Sequence, residues 1–137
     1  MELAIYGAGS LGKNLYDVAL RVNERERRWR EIFFLDDTRE EREFYGSEVR
    51  RLADIRQMAA SVEAVVANGT PKHRRAMAAT LREAGIPLTN LVDPSVIVAP
   101  SAVFTGGGYF YPFLRDGIER CRRRRKHAHP AVCTYRT

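Results

Sequence analysis

The chain is short of cysteine, of long apolar runs and, over most of its length, of net charge. Its two cysteines, Cys121 and Cys133, give no case for a disulfide scaffold in 137 residues. No apolar stretch approaches the ~18 residues that cross a bilayer. The opening MELAIYGAGS also lacks the basic-then-apolar pattern of a secretory leader. These absences lead to the expectation of a soluble, cytoplasmic protein without a membrane partner. What remains, 45% hydrophobic and 29% charged residues, suffices for one domain with a core and an appendage.

The formal charge of +6 is unevenly placed. Residues 1–114 carry 15 basic and 15 acidic side chains, whereas 115–137 carry 8 basic against Asp116 and Glu119. The whole excess lies in the last 23 residues, together with Cys121, Cys133, His127 and His129. Arg122–Lys126 could meet phosphates on nucleic acid, but Tyr135 is the single aromatic residue there that could stack on a base. A solvated, disordered tail is the expectation, and nucleic acid is not an expected partner. The spacing C-x5-H-x-H-x3-C fits no usual structural zinc pattern, so no metal site is expected.

The body alternates strand and helix signals. Leu3–Tyr6 is a short apolar run stopped by Gly7, as in a buried parallel strand. Leu11, Leu15, Val18 and Val22 then form one stripe of an amphipathic helix, whose solvated end and a loop should take up the charged stretch Asn23–Arg30. Ile32–Leu35 is a second strand, followed by a polar loop over Thr38–Glu43, a small strand over Gly46–Val49 and a short helix over Leu52–Ala60. Val62–Ala67 is a third buried strand. Thr70 and Pro71 read as the cap and first residue of a helix whose buried face is Met77, Leu81 and Ala84, with Gly85 and Pro87 as its stop. Leu88–Val92 closes the block as a last strand. The alternation predicts an α/β fold, a small Rossmann-like parallel sheet with flanking helices, over residues 1–91.

From Val92 the pattern changes. VDPSVI is followed by VAPSAV, so that Val92, Pro94 and Ser95 align with Val98, Pro100 and Ser101. A six-residue period belongs to a parallel β-helix, in which each hexad forms one side of a triangular coil. Two hexads make less than one coil. Residues 92–114 therefore read as the truncated start of such a domain, and the apolar Gly107–Leu114 needs a place to pack, a homo-oligomer contact being one option.

Two places carry candidate chemistry. Gly7-Ala8-Gly9-Ser10-Leu11-Gly12 is a G-x-G-x-x-G between a strand and a helix. Its glycines allow a tight turn, a close approach to phosphate and close helix–strand packing, and the helix N-terminus favours an anion. The alternative is a tight turn with no ligand. Asp36 and Asp37 follow at the end of the second strand, 24 and 25 positions after Gly12. A carboxylate there can accept from ribose hydroxyls or a base N–H, or it can shape a turn. Strand neighbours point to opposite faces, so one of the pair should bind and the other shape the loop. Residues 1–91 supply only about one half of a dinucleotide fold. That favours a mononucleotide or nucleotide-sugar over a complete NAD(P) enzyme.

In the order YGAGSLG, FFLDD, VANGTPKHRRAMAATLREAGIP and LVDPSVIVAPSAVF, residues 2–113 resemble the sugar O/N-acyltransferases of the sialic acid O-acetyltransferase and bacillosamine N-acetyltransferase type. The resemblance implies an N-terminal domain that binds a UDP- or CMP-sugar. It further implies a left-handed β-helix that forms trimers, binds acetyl-CoA and supplies a histidine base. Carried over by position, Gly7, Gly9, Ser10 and Gly12 would lie against the nucleotide, Asp36 and Asp37 would face base and ribose, and Gly69 would line the opposite wall. The family often has histidine where Leu11 and Asp93 stand here. Its later hexads, with the catalytic histidine, have no counterpart, so the catalytic residue is unknown and the chain is expected to be catalytically incomplete. The alternative is a small NAD(P)- or nucleotide-binding module with a regulatory or binding role. The abrupt terminus is what an out-of-frame reading of a GC-rich gene would give, which translation of the other two frames would check.

Overall fold

The computed structural model describes residues 1–100, 102 and 107–110. The basic tail at 115–137, with Cys121, Cys133, His127 and His129, lies outside the described residues, as does most of the stretch that follows the second hexad. Strands β1 (Glu2–Tyr6), β2 (Ile32–Leu35), β3 (Glu43–Phe44), β4 (Ser47–Arg50) and β5 (Val62–Val66) form one sheet in the order β3-β4-β2-β1-β5. All its pairings are parallel except β3 with β4. Helix α1 (Ser10–Glu26) connects β1 to β2, and α3 (Pro71–Glu83) follows β5. The single α-turn α2 (Leu52–Ile55) runs on as a 3-10 helix over Arg56–Ser61. The expected α/β fold is present.

Alternation within the strands builds two cores. Leu3, Ile5, Phe34 and Val65 meet Leu15, Val18, Ala19 and Val22 of α1 on one face. Ala4, Phe33, Leu35, Ala64 and Val66 meet Leu52, Ile55, Ala78 and Leu81 on the other. Both faces are covered, and for that reason the strands read as continuous apolar runs rather than alternating ones.

Several expectations need correction. Helix α1 does carry its exposed end through the charged stretch, to Glu26, and stops at Arg27 in the left-handed region, whose N–H donates to the Asn23 carbonyl; what the charges do not show is the turn that follows. The Asn23 side chain then brackets the next turn by donating to the Trp29 carbonyl at 2.8 Å and accepting the Trp29 N–H at 2.7 Å. That bracket folds Trp29 back into the core, 3% exposed, out of a stretch that the charges alone mark as solvated. The polar loop ends one residue early, because Glu43 enters β3. Thr70 occupies the cap position of α3, but its hydroxyl makes no capping bond. The buried face of α3 is Ala78 and Leu81, with Met77 and Ala84 half-buried.

The largest correction concerns 88–92. Leu88 touches β5 through a single parallel bridge to Ala64, and the chain then leaves the sheet. Leu91–Val92 (β6) instead pairs in parallel with Tyr109–Phe110 (β7), Leu91 opposite Tyr109 and Val92 opposite Phe110. Asn90 fixes this register, its side chain accepting the Gly108 N–H at 2.9 Å while the Leu91 N–H donates to the Gly108 carbonyl. Between them Ile97 and Val98 stand exposed, at 98% and 40%. Tyr109 packs against the α1-side core, so part of the apolar Gly107–Leu114 stretch has a place within the chain.

Candidate functional site

Strand order sets where the site lies. The chain moves outward from β1 to β2 and β4, then crosses back to place β5 on the other side of β1. The helices that follow β1 and β5 pack on opposite faces of the sheet, and the carboxyl ends of two such strands are where open α/β sheets form a ligand crevice.

The β1 turn forms one wall. Gly7 has φ +122°, and a Cβ on it would stand 2.7 Å from the Ala67 carbonyl oxygen in the opposite loop. A Cβ on Gly12 would stand 2.2 Å from the Gly7 carbonyl oxygen and 3.4 Å from Phe34. Both contacts are closer than a side chain tolerates, so these glycines serve the turn and the helix–strand packing. Gly9 differs, since a Cβ there meets nothing within 4 Å. Gly9 and Ser10 are exposed at the start of α1. The first intrahelical bond runs from the Lys13 N–H to the Gly9 carbonyl, and no side chain caps the end. The helix thus presents N–H groups and the positive end of its dipole to the crevice.

The loop after β5 forms the other wall. Gly69 is exposed, with open space where a Cβ would be. Asn68 shapes this loop, its side chain accepting the Thr70 N–H at 2.9 Å. Helix α3 begins just beyond, and neither α1 nor α3 has an acidic residue in its first turn. Lys72, His73 and Arg74 instead follow Pro71 in sequence. A helix N-terminus whose own first turn lacks a carboxylate favours an anionic group there.

The aspartates divide as their alternation requires. Asp36 turns to the glycine loop, with one oxygen accepting the Ala8 N–H at 3.0 Å and the other accepting the Thr38 N–H and hydroxyl at 2.9 and 2.6 Å. Burial raises its pKa, but the Thr38 and Ala8 hydrogen bonds, with Arg39 nearby, prevail and hold the carboxyl below its ordinary range. Asp37 is exposed, and one of its oxygens accepts the Leu52 N–H at 2.9 Å. Tyr6, half-buried at the end of β1, is pushed above its ordinary pKa by burial and by the charges of Asp37 and Asp36, so it remains a neutral phenol. Sequence reasoning did not single out Tyr6, Asn68 or Arg74. The position of the last two, just before and within the first turn of α3, was the available signal.

Other charged groups support the frame. Glu2, 2% exposed at the start of β1, is held below the ordinary carboxyl range by its hydrogen bond from Arg30, against the opposing effect of burial, with help from Arg50. Asp93, equally buried, is pushed up by burial, but the hydroxyl and N–H of Ser95 together with Arg21 bring it below its ordinary value. A hollow bounded by Arg21, Glu24, Arg25, Asp93, Pro94 and Ser95 surrounds this pair rather than the glycine crevice. Glu2, Asp36 and Asp93 all have folded pKa values depressed below their reference values of 4.5, 3.8 and 3.8. Their contribution is complete above those values and is lost as pH falls through the folded ones. Urea unfolding at stepped pH should therefore show stability flat from neutrality to about pH 5 and falling steadily below it.

Fold and site together define a half-Rossmann α/β domain whose crevice lies at the switch point between β1 and β5. A family model described as the PglD N-terminal domain matches residues 2–81, and the chain belongs to that family. The acetyltransferase domain of PglB from Neisseria gonorrhoeae, solved with acetyl coenzyme A, is similar at 28% identity and a TM-score of 0.68 over 79% of this chain and 51% of that one. PerB from Caulobacter crescentus, solved with CoA and GDP-perosamine, shares the fold at 20% identity and a TM-score of 0.66 over 80% of this chain and 50% of that one. The chain spans about half the length of these solved chains. A search of curated proteins gives no match. Among the described residues, no helix is long and apolar enough to cross a membrane, and no cluster of side chains is placed to hold a metal ion.

Proposed function

We propose that this chain is the nucleotide-sugar-binding part of an acetyl-CoA-dependent sugar acyltransferase-like protein. The observation that carries the reading is the close approach of the Gly7–Gly12 turn to the Ala67–Thr70 loop at the carboxyl ends of β1 and β5, in a chain of the PglD N-terminal family. Gly9 and Ser10 take the diphosphate on the α1 N-terminus, and Gly69 lines the facing wall. Gly7 and Gly12 keep the loop in shape. Asp37 is the carboxylate that meets base or ribose, while Asp36 holds the loop through Ala8. The ligand is a UDP- or CMP-sugar.

Residues 1–91 form this binding domain, and residues 92–114 the start of a hexapeptide β-helix. The pairing of Leu91 with Tyr109 supports the second part. Its offset is three hexads, one circuit of a triangular coil. Beyond Val92 the described residues add only strand β7, too little to hold acetyl-CoA, so no acyl-transfer step is assigned to this chain's own residues.

Titration calorimetry with UDP-, CMP- and GDP-sugars, NAD and acetyl-CoA tests the reading. One nucleotide-sugar should bind in the micromolar range, about −8 kcal/mol, with NAD showing no heat of binding. Binding of NAD without any nucleotide-sugar would contradict it.

A further inference from the structure

Arg74, in the first turn of α3, touches two parts of the molecule at once. Its Nε donates to the Asn68 carbonyl at 3.1 Å, in the loop that forms one wall of the crevice. Its terminal nitrogen donates to the Tyr109 hydroxyl at 3.3 Å, and its guanidinium carbon lies 5.4 Å from the Tyr109 ring centroid. Asn68 in turn holds the Thr70 N–H, and the adjacent Ala67 N–H donates to the Tyr6 carbonyl at the end of β1. Tyr109 opens β7, whose partner β6 is anchored separately through Asp93 to Arg21 of α1. Besides the core packing of Leu91 and Tyr109, this ion pair ties the strand pair to α1 and Arg74 ties it to α3. Of the two arginines, Arg74 is the one that also grips the crevice loop.

We propose that Arg74 is a positioning residue that couples the Asn68–Thr70 loop to the β6–β7 pair, so that order in one stabilises order in the other. A planar guanidinium suits this task, because it presents separate donors in a fixed fork and can lie against a ring. A lysine would bring one point charge and could serve one partner at a time. The consequence is reciprocal. Whatever orders the crevice loop also orders the strand pair, and the reverse holds by the same coupling free energy.

Amide hydrogen exchange on the full chain without ligand tests the coupling directly. Tyr109→Phe keeps the ring that packs on the core and removes only the hydroxyl. It should speed exchange of the Thr70 amide roughly two- to tenfold, the range expected for losing one hydrogen bond. Arg74→Lys, which keeps the charge, should speed exchange at both Thr70 and Leu91. Unchanged Thr70 exchange in Tyr109→Phe would overturn the proposal, since a merely local contact moves nothing across the junction. A second arm rests on the nucleotide reading. A nucleotide-sugar that binds the wild-type chain should slow exchange at Leu91, and it should bind Tyr109→Phe several-fold more weakly. Equal affinity in the two chains would also overturn the coupling. Absence of any nucleotide-sugar binding to the wild-type chain would instead sink the functional reading, leaving the ligand-free exchange to decide the coupling.

Discussion

Gly12→Ala should destabilise the chain by about 3 kcal/mol or more, a large share of the ~5–15 kcal/mol that holds a domain folded. The added methyl would stand 2.2 Å from the Gly7 carbonyl oxygen, and that oxygen belongs to backbone with nowhere to go. Gly7 is fixed by its own N–H bond to the Leu35 carbonyl at 2.9 Å and by its approach to Ala67. Relief would require α1 to lift off the sheet, exposing Leu15, Val18 and Ala19. Gly7→Ala should also be costly, because it combines φ +122° with a 2.7 Å contact on the Ala67 carbonyl oxygen. Gly9→Ala provides the contrast. Its φ of −132° suits any residue and its Cβ meets only open space, so stability should change by less than about 0.5 kcal/mol. That same open space is where the ligand phosphate is proposed to approach, and the methyl should weaken nucleotide-sugar binding about tenfold or more. Urea midpoints and calorimetry on the three variants separate the roles. A Gly9→Ala chain that binds like the wild type would remove the phosphate from that position.

Asp36→Ala should cost about 2–3 kcal/mol, since its carboxylate takes three hydrogen bonds at the corner that joins β2 to the glycine loop. The Ala8 N–H would lose its acceptor inside a buried turn, and the Thr38 loop would lose its anchor. Because the folded pKa of Asp36 is depressed, its contribution is present above the ordinary aspartate range and fades as the carboxyl protonates. The wild-type and Asp36→Ala stability curves should therefore lie apart at neutral pH and converge below about pH 4. Curves that stay parallel through the acid limb would show that the charge on Asp36 does not hold the loop. Asp37→Asn should act differently. It keeps an oxygen for the Leu52 N–H, so stability should hold while affinity for the base or ribose falls.

Much of this was legible in the sequence, because the relevant signals are local. The apolar runs at Leu3–Tyr6, Ile32–Leu35 and Val62–Val66 are buried on both faces, and no other placement accommodates them. The G-x-G-x-x-G spacing places two glycines at contacts that only a missing Cβ allows. The losses came where individual side-chain hydrogen bonds, rather than hydropathy, decide the outcome. Trp29 sits in a charged run, and its burial depends on the Asn23 bracket that no hydropathy pattern carries. The stretch at 88–92 has strand composition, but Asn90 and Gly108 commit it to β7 rather than to the main sheet. Asp36 and Asp37 stand side by side at the strand end, with nothing local to tell them apart. Which one faced the loop was settled only by the Ala8 and Leu52 amides. Arg74 bears no motif, and its significance rests on two partners, one of them 35 positions away.

On the proposed reading, the two loops at the β1–β5 switch point bind a nucleotide-sugar together. Amide chemical-shift mapping during titration of the isotopically labelled chain with UDP- and CMP-sugars tests it most directly. Saturable shifts are expected at Gly7, Gly9, Ser10 and Gly12 and, at the same ligand concentrations, at Asn68, Gly69 and Thr70. Shifts confined to one loop, shifts centred on the hollow at Arg21 and Asp93, or a response to NAD with none to any nucleotide-sugar would contradict it.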